Sequence, residues 1–340
     1  YNNRATFTGA AVSFSNPSGG ALGALPVRAL IGTAADFKTP EIQQWSLCVL
    51  HQSSRHLVGE ISYVGTKGDF LIRPLDLNFP QPAAVNAIGL ANANLARPYL
   101  GYARITWRET SAKSRYHGLL SSLSYRFGNG LSLTASYTFS KNLTDATNDR
   151  DAVDFPQNPL NYRAEYAEAR TSRPHIFSAS YVYEFPWFTK DPNGFKRGLL
   201  GGWQIAGITD ITSGQPVARV GLAAAQPQTG LTGFYPNMVA DPNAGLAGTV
   251  DVSGLPFIFD PTAFAVPANG TYGSAPRAFS RLFGRNQTNL TLTKNIYFNK
   301  EQDVRLQLRA EAFNVFNHTQ FTGVGTVFVA APTVLNAGQT

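Results

Sequence analysis

The sequence predicts an all-β fold, an antiparallel transmembrane β-barrel segment of about eight strands with long loops at one end and short turns at the other. Three observations predict it. Apolar and polar residues alternate with period two along several stretches, so each stretch presents one apolar and one polar face. The connections between these stretches alternate strictly between short and long, as in barrels with short periplasmic turns and long extracellular loops. Charged residues make up only 14% of the chain while aromatics reach 12%. That balance suits a surface facing lipid, where charge is costly and rings favour the interface.

Residues 42–50 and 58–64 form the faintest pair, with Trp45, Leu47 and Val49, then Ile61 and Tyr63, on the apolar side. The clearest stretch is 119–139. Leu119, Ser121, Leu123, Tyr125 and Phe127 alternate with Leu120, Ser122, Ser124 and Arg126. After Gly128-Asn129-Gly130, Leu131, Leu133, Ala135, Tyr137 and Phe139 alternate with Ser132, Thr134, Ser136 and Thr138. The Gly-Asn-Gly supplies the positive φ angles of a tight hairpin. Phe177, Ala179, Tyr181, Tyr183 and Phe185 repeat the pattern, and Trp203, Ile205, Gly207, Thr209 and Ile211 follow more weakly.

In 290–298 the apolar set Leu290, Leu292, Ile296 and Phe298 is interrupted on its own side by Lys294. A lysine facing lipid at the midplane costs roughly 2–4 kcal/mol, and less near an interface. Either a bulge shifts the register there or Lys294 snorkels toward headgroups. In 304–311, Val304, Leu306, Leu308 and Ala310 oppose Arg305, Gln307, Arg309 and Glu311.

Short links sit near 52–57, 128–130, 186–201 and 299–303, and long ones near 65–115, 141–174 and 214–287, with irregular sequence at 1–40 and 318–340. The long links are rich in Gly, Pro, Ala and Asn and read as irregular loop, none of them a separate domain. Tyr125, Phe127, Phe185 and Trp187 fall by short turns, and Tyr137 and Phe139 toward the far end. These are the positions of interfacial girdles.

Several function classes are disfavoured. The net charge of +7 is spread along the chain with no basic run, which argues against a nucleic-acid partner. One cysteine, Cys48, allows neither a disulfide framework nor a cysteine metal site. No apolar run reaches the roughly 18 residues of a membrane helix, which leaves a barrel open. No nucleophile elbow, Walker or dinucleotide fingerprint occurs, so neither an enzyme nor a cofactor is expected. The chain starts at Tyr1 without a visible secretory signal, and is expected to be a fragment whose export is inferred.

His51, His56, His117, His175 and His318 are scattered, with His117 and His175 near outer strand ends. Asp145, Asp149, Asp151 and Asp154 could offer oxygens to a hard cation, but read more simply as a solvated loop with Arg150 and Arg163 as counter-charges, so no metal site is assigned. The candidate functional surface is Arg305, Arg309 and Glu311, expected to line a lumen. There they would tune passage or hold a plug, or simply satisfy one another as a charge ladder.

Residues 309–321, RAEAFNVFNHTQF, resemble the penultimate-strand motif of Oar-like TonB-dependent outer-membrane receptors. GGWQIAGITDITSGQP (201–216) is similar to the strand these proteins place before a large extracellular loop. YHGLLSSLSYRFGNGLSLTASYTFSKNL (116–143) is similar to their central hairpin, and YVGTKGDFL (63–71) to another strand with its loop. The resemblance implies that residues 1–340 are the C-terminal part of a barrel of about 22 strands, without its plug and closing strand. It further implies residence in the lipid of the bacterial outer membrane and uptake of an extracellular substrate. The TonB complex would be engaged through an N-terminal region outside this chain. A passive porin, a structural or adhesive surface protein, and a soluble β-sandwich are the alternatives.

Overall fold

The computed structural model describes residues 28–89, 95–126, 130–146, 155–218, 220–222, 235–246, 254–298, 304–321 and 323–328. The strands in chain order are β1 (Arg28–Thr33), β2 (Glu41–Ser54), β3 (Leu57–Asp76), β4 (Tyr102–Arg126), β5 (Leu131–Thr144), β6 (Ala167–Glu168), β7 (His175–Glu184) and β8 (Trp203–Thr212). They continue with β9 (Pro216–Ala218), β10 (Gly221–Leu222), β11 (Asn237–Met238), β12 (Phe264–Ala265), β13 (Ala278–Arg281), β14 (Arg285–Tyr297), β15 (Arg305–Ala312) and β16 (Val327–Phe328). Two short helices, α1 (Pro82–Ile88) and α2 (Gly194–Leu200), lie in connections. None of the described helices is long and apolar enough to cross a membrane.

Eight strands form one antiparallel meander in the order β15-β14-β8-β7-β5-β4-β3-β2. The alternation fixes which way each strand faces, because a slip of one residue would turn its apolar set to the wrong side. The registers join the apolar sets into one continuous face. Leu47 lies opposite Tyr63, Leu119 opposite Phe139, Tyr137 opposite Phe177, Tyr183 opposite Ile205, Ile205 opposite Leu292, and Lys294 opposite Leu308. Leu47, Ile61, Leu119, Phe139 and Leu308 all stay exposed on that face, where a soluble sandwich would bury them. The opposite face carries Glu60, Ser62, Ser122, Ser136, Ser178, Asp210, Thr291, Arg309 and Glu311. The wall is therefore lipid-facing outside and wet inside, but in these described strands it does not close on itself.

The turn between β4 and β5 shows why glycine is needed. Gly130 has φ of 87°, and a Cβ there would meet the Glu184 carbonyl oxygen at 2.6 Å. Phe127, Gly128 and Asn129 lie outside the described residues. Beside this turn, at the same end of the sheet, Tyr183 packs edge-on to Phe185 (5.0 Å) and Phe185 against Trp187 (5.2 Å), next to the connection that carries α2.

The structure settles the position of Lys294. β14 keeps unbroken register with β15 and with β8 through that residue, so no bulge intervenes. Lys294 stays on the apolar side, near the short-turn end. Its ammonium hydrogen-bonds the Gly201 carbonyl, 5.3 Å from the centre of the Trp203 ring. It has snorkelled to the rim, where a carbonyl and an aromatic face take up its charge.

Three expectations about the connections change. Half of the long link expected at 65–115 is strand: β3 runs to Asp76 and β4 starts at Tyr102, leaving residues 77–101 as the loop. These extensions rise beyond the apolar face and are covered by the loops, with Arg73, Leu75 and Ala112 buried, so the apolar alternation that marks a lipid face is missing there. The supposedly irregular N-terminal stretch contains β1, which pairs in parallel with the β4 extension. The long links are also not merely irregular, because they share a hydrophobic core. Phe79 comes from the first of them, and Val217, Val220, Leu222, Tyr235, Ile258, Phe259, Ala263, Phe264 and Ala275 from the third. Much of the stretch from 224 to 248 lies outside the described residues.

Candidate functional site: the inner face and the loop cap

The inner face follows from the strand period. Residues between the apolar positions point inward and are mostly polar, Ser and Thr being the commonest among them. Two of its carboxylates are held by neighbours. Glu60 accepts hydrogen bonds from Ser62 Oγ (2.8 Å) and Cys48 Sγ (3.3 Å), and Asp210 accepts from Ser178 Oγ (2.6 Å). Cys48 is thus an exposed inner-face thiol bonded to a carboxylate.

Arg305, Arg309 and Glu311 lie together on this face of β15, opposite Tyr297, Thr293 and Thr291 of β14. Arg309 Nη2 is 2.5 Å from Glu311 Oε1, so these two charges hold each other. Arg305 is exposed at the other end of the strand. Gln307 between them donates to Asn295 Oδ1 (2.9 Å). β15 ends at Ala312 because the next residues turn back. Asn314 and Asn317 both take φ of 48°, and Asn314 accepts from His318 N (3.1 Å) while its Nδ2 donates to the His318 carbonyl (3.1 Å). Asn314 N then bonds Asn289 Oδ1 (2.9 Å), and Gln320 Nε2 bonds the Asn286 carbonyl (2.7 Å). The segment FNVFNHTQF is therefore a folded cover over the upper edge of β14.

The loop cap is built on buried polar links as well as on its apolar core. Phe79 stacks on Tyr272, whose hydroxyl donates to Gln81 Oε1 (3.1 Å). Tyr235 Oη donates to Glu165 Oε2 (2.5 Å), and Gln157 Nε2 donates to the Gly273 carbonyl (2.8 Å), joining the second long loop to the third. Arg277 reaches the carbonyls of Thr144 (3.4 Å) and Glu165 (3.3 Å). Arg73 Nη2 lies 2.6 Å from Asp145 Oδ2, and its guanidinium stands 4.2 Å from the Tyr162 ring centre.

Burial, reinforced by the neighbouring Glu109 carboxylate, pushes the Tyr162 hydroxyl up to about 12 despite Arg73. Burial alone pushes Tyr272 up to about 12. Burial acts to raise Glu168, but bonds from Arg281 and Ser172 outweigh it and hold the carboxyl below its ordinary value.

Of the four aspartates, Asp145 is buried against Arg73 and accepts from Lys113 N (2.8 Å) instead of standing solvated beside Arg163. Asp149, Arg150, Asp151 and Asp154 lie outside the described residues. No group of His, Cys, Asp and Glu capable of holding a metal occurs among the described residues. The sequence reading missed Arg73, Glu165, Tyr235 and Arg277. A lone arginine or glutamate in a loop carries no periodic signal, although charge next to apolar loop residues is a faint one.

A family model described as "Outer membrane beta barrel domain" matches residues 1–339. The chain belongs to this family. The barrel wall thus resides in the bacterial outer membrane, with its apolar face in lipid. No curated protein matches the sequence. Among solved structures it is similar to the outer membrane transporter YddB of Escherichia coli, with a TM-score of 0.45 and 11% identity over 84% of this chain and 30% of that one. It is also similar to the FrpB iron transporter of Neisseria meningitidis, with a TM-score of 0.40 and 14% identity over 85% and 29%. A third is FpvA of P. aeruginosa, solved with heterologous pyoverdines, with a TM-score of 0.34 and 11% identity over 88% and 29%. The chain spans under a third of the length of these transporters. No ligand or residue role transfers at this distance.

Proposed function

We propose that this barrel wall belongs to a TonB-dependent transporter of the Oar-like kind, in which a substrate meets the loop cap and passes along the polar inner face. The observation that carries the proposal is the joining of loops from separate hairpins into one cap with a buried core. A cap of this kind can present a fixed binding surface above the wall, whereas independent flexible loops would have to be ordered by each substrate. Arg305, Arg309 and Glu311 face inward at the β15 edge, where they would contact a plug or the moving substrate. Energy would reach the plug through TonB, and neither the wall nor the cap would perform covalent chemistry.

The test is electrical. The full-length protein in a planar bilayer should show no steady conductance until its plug is displaced with urea, and should bind the periplasmic domain of TonB. A large, constant open-pore current without TonB binding would identify a passive porin instead. The cohesion of the cap also favours a second reading, a display surface for attachment. Trimming residues 214–287 would then abolish adhesion and leave uptake intact.

A further inference from the structure

We propose that the outward surface of β3, β4 and β5 at the extracellular rim is a binding site for a phosphorylated lipid headgroup of the outer leaflet. The strand registers bring its parts together. Lys67 lies opposite Arg115, and Gly65 opposite His117, which in turn lies opposite Lys141. All of these alternate with Tyr63, Leu119 and Phe139, so they share the apolar, lipid-facing side. Lys113 continues the same face of β4 by alternation.

Directly below the cations runs a row of rings. Tyr63 Oη and His117 Nδ1 are 2.7 Å apart, and Tyr137 Oη and His175 Nδ1 are 2.8 Å apart. Trp45 meets His117 edge-on at 6.3 Å, and Phe139 packs 5.1 Å from His175. Aromatic rings of this kind mark the border between acyl chains and headgroups. Below the row, the outward positions of β2 to β5 carry no Asp, Glu, Lys or Arg. The cations therefore occupy one tier, at headgroup height.

Two carboxylates share that rim. Asp69 lies 2.7 Å from Lys67 and 3.4 Å from Arg115, and Glu41 stands opposite Asp69 one step further up. Asp69 orients Lys67 and Arg115 without cancelling the tier, because Lys141 and Lys113 stay exposed beside them. Glu168, the next acid along, is taken by Arg281 and Ser172. A surplus of positive charge over an aromatic shelf is complementary to phosphate on a lipid whose chains pack against Leu119 and Phe139.

The experiment uses the full-length protein in phosphatidylcholine nanodiscs doped with lipid A, with bound lipid counted by native mass spectrometry. Retention should weaken about fivefold per cation removed, and about a hundredfold for Lys67→Gln, Arg115→Gln and Lys141→Gln combined. Heat-modifiable migration on gels confirms that the variants are folded. Lys141→Gln alone, at an exposed position, gives the same direction should the triple variant fail to assemble. Lipid A stripped of its phosphates should be retained no better by wild type than by the triple variant. Equal retention by wild type and variants, or equal retention with and without phosphates, overturns the proposal. So does displacement by inorganic phosphate at concentrations matching the lipid, which would make this an anion site indifferent to the bilayer.

Discussion

Lys294 shows how one residue can break a pattern without breaking the fold. Its charge is met at the rim by the Gly201 carbonyl and Trp203, so its presence on the lipid side costs little. Lys294→Met should change unfolding free energy by less than about 1 kcal/mol, whereas Leu290→Lys, on the same face near the midplane, should cost about 2–4 kcal/mol. Urea titration of the refolded full-length barrel, followed by tryptophan fluorescence, distinguishes them, and equal costs would contradict the snorkelled geometry. The cap has its own titrations. Tyr162 and Tyr272 ionise only near 12 when folded, against 10.0 ordinarily. The unfolded chain therefore loses these protons first, and the stability they confer, complete below pH 10, is lost as pH rises toward 12. Glu168 works in the opposite direction. Its lowered folded value confers stability above the ordinary 4.5, lost as pH falls through the folded value. Limited proteolysis across pH should find the cap protected between these limits, with Tyr162→Phe and Tyr272→Phe together blunting the alkaline loss.

Among the elements, β4 and β5 were legible because one of their faces meets lipid and the other water. Ser121 to Tyr137 and Leu123 to Ala135 pair as the alternation requires. The upper halves of β3 and β4 were hidden for the converse reason, since residues 71–76 and 102–112 lie where no membrane sorts one face from the other. Glycines on the lipid face are hidden in another way. Gly65 lies opposite Trp45 and Gly207 opposite Tyr181, and a methyl at either would fall within the facing ring. These rings cover backbone that glycine leaves bare. Gly207→Ala should displace Tyr181 and slow assembly of the β7–β8 hairpin, visible as delayed acquisition of heat-modifiable migration. The turn after β15 offers a cleaner contrast. Asn314→Gly keeps the left-handed backbone and loses the bridge to His318, while Asn314→Ala loses both. Hydrogen exchange at 314–320 should rise in the order wild type, Gly, Ala, with the β7–β8 ladder unchanged.

In the whole molecule, the wall could be read from the sequence and the cap could not. A wall strand repeats one contrast every second residue, but the cap assembles its core from Phe79, Val217, Phe259 and Phe264, scattered through Gly- and Pro-rich stretches. No window of sequence contains enough of it to show a pattern. The cap should come apart as a unit. Arg73→Met leaves Asp145 buried without its cation, a loss of about 3–5 kcal/mol for a buried pair. Protease sites in 77–101 and 155–174 should open together, while the wall keeps its heat-modifiable migration. Opening of one loop alone would show that the loops are independent.

The cap also bears on how the chain reaches its final state. Its core and its polar links draw on loops far apart in sequence, so no single hairpin can complete it. Each loop crosses the bilayer as a separate thread, because its partners in the cap belong to other hairpins. Only on the far side do Phe79 and Tyr272, or Tyr235 and Glu165, find each other. That meeting works as a ratchet: once the knot outside is tied, withdrawing any one thread means untying the others.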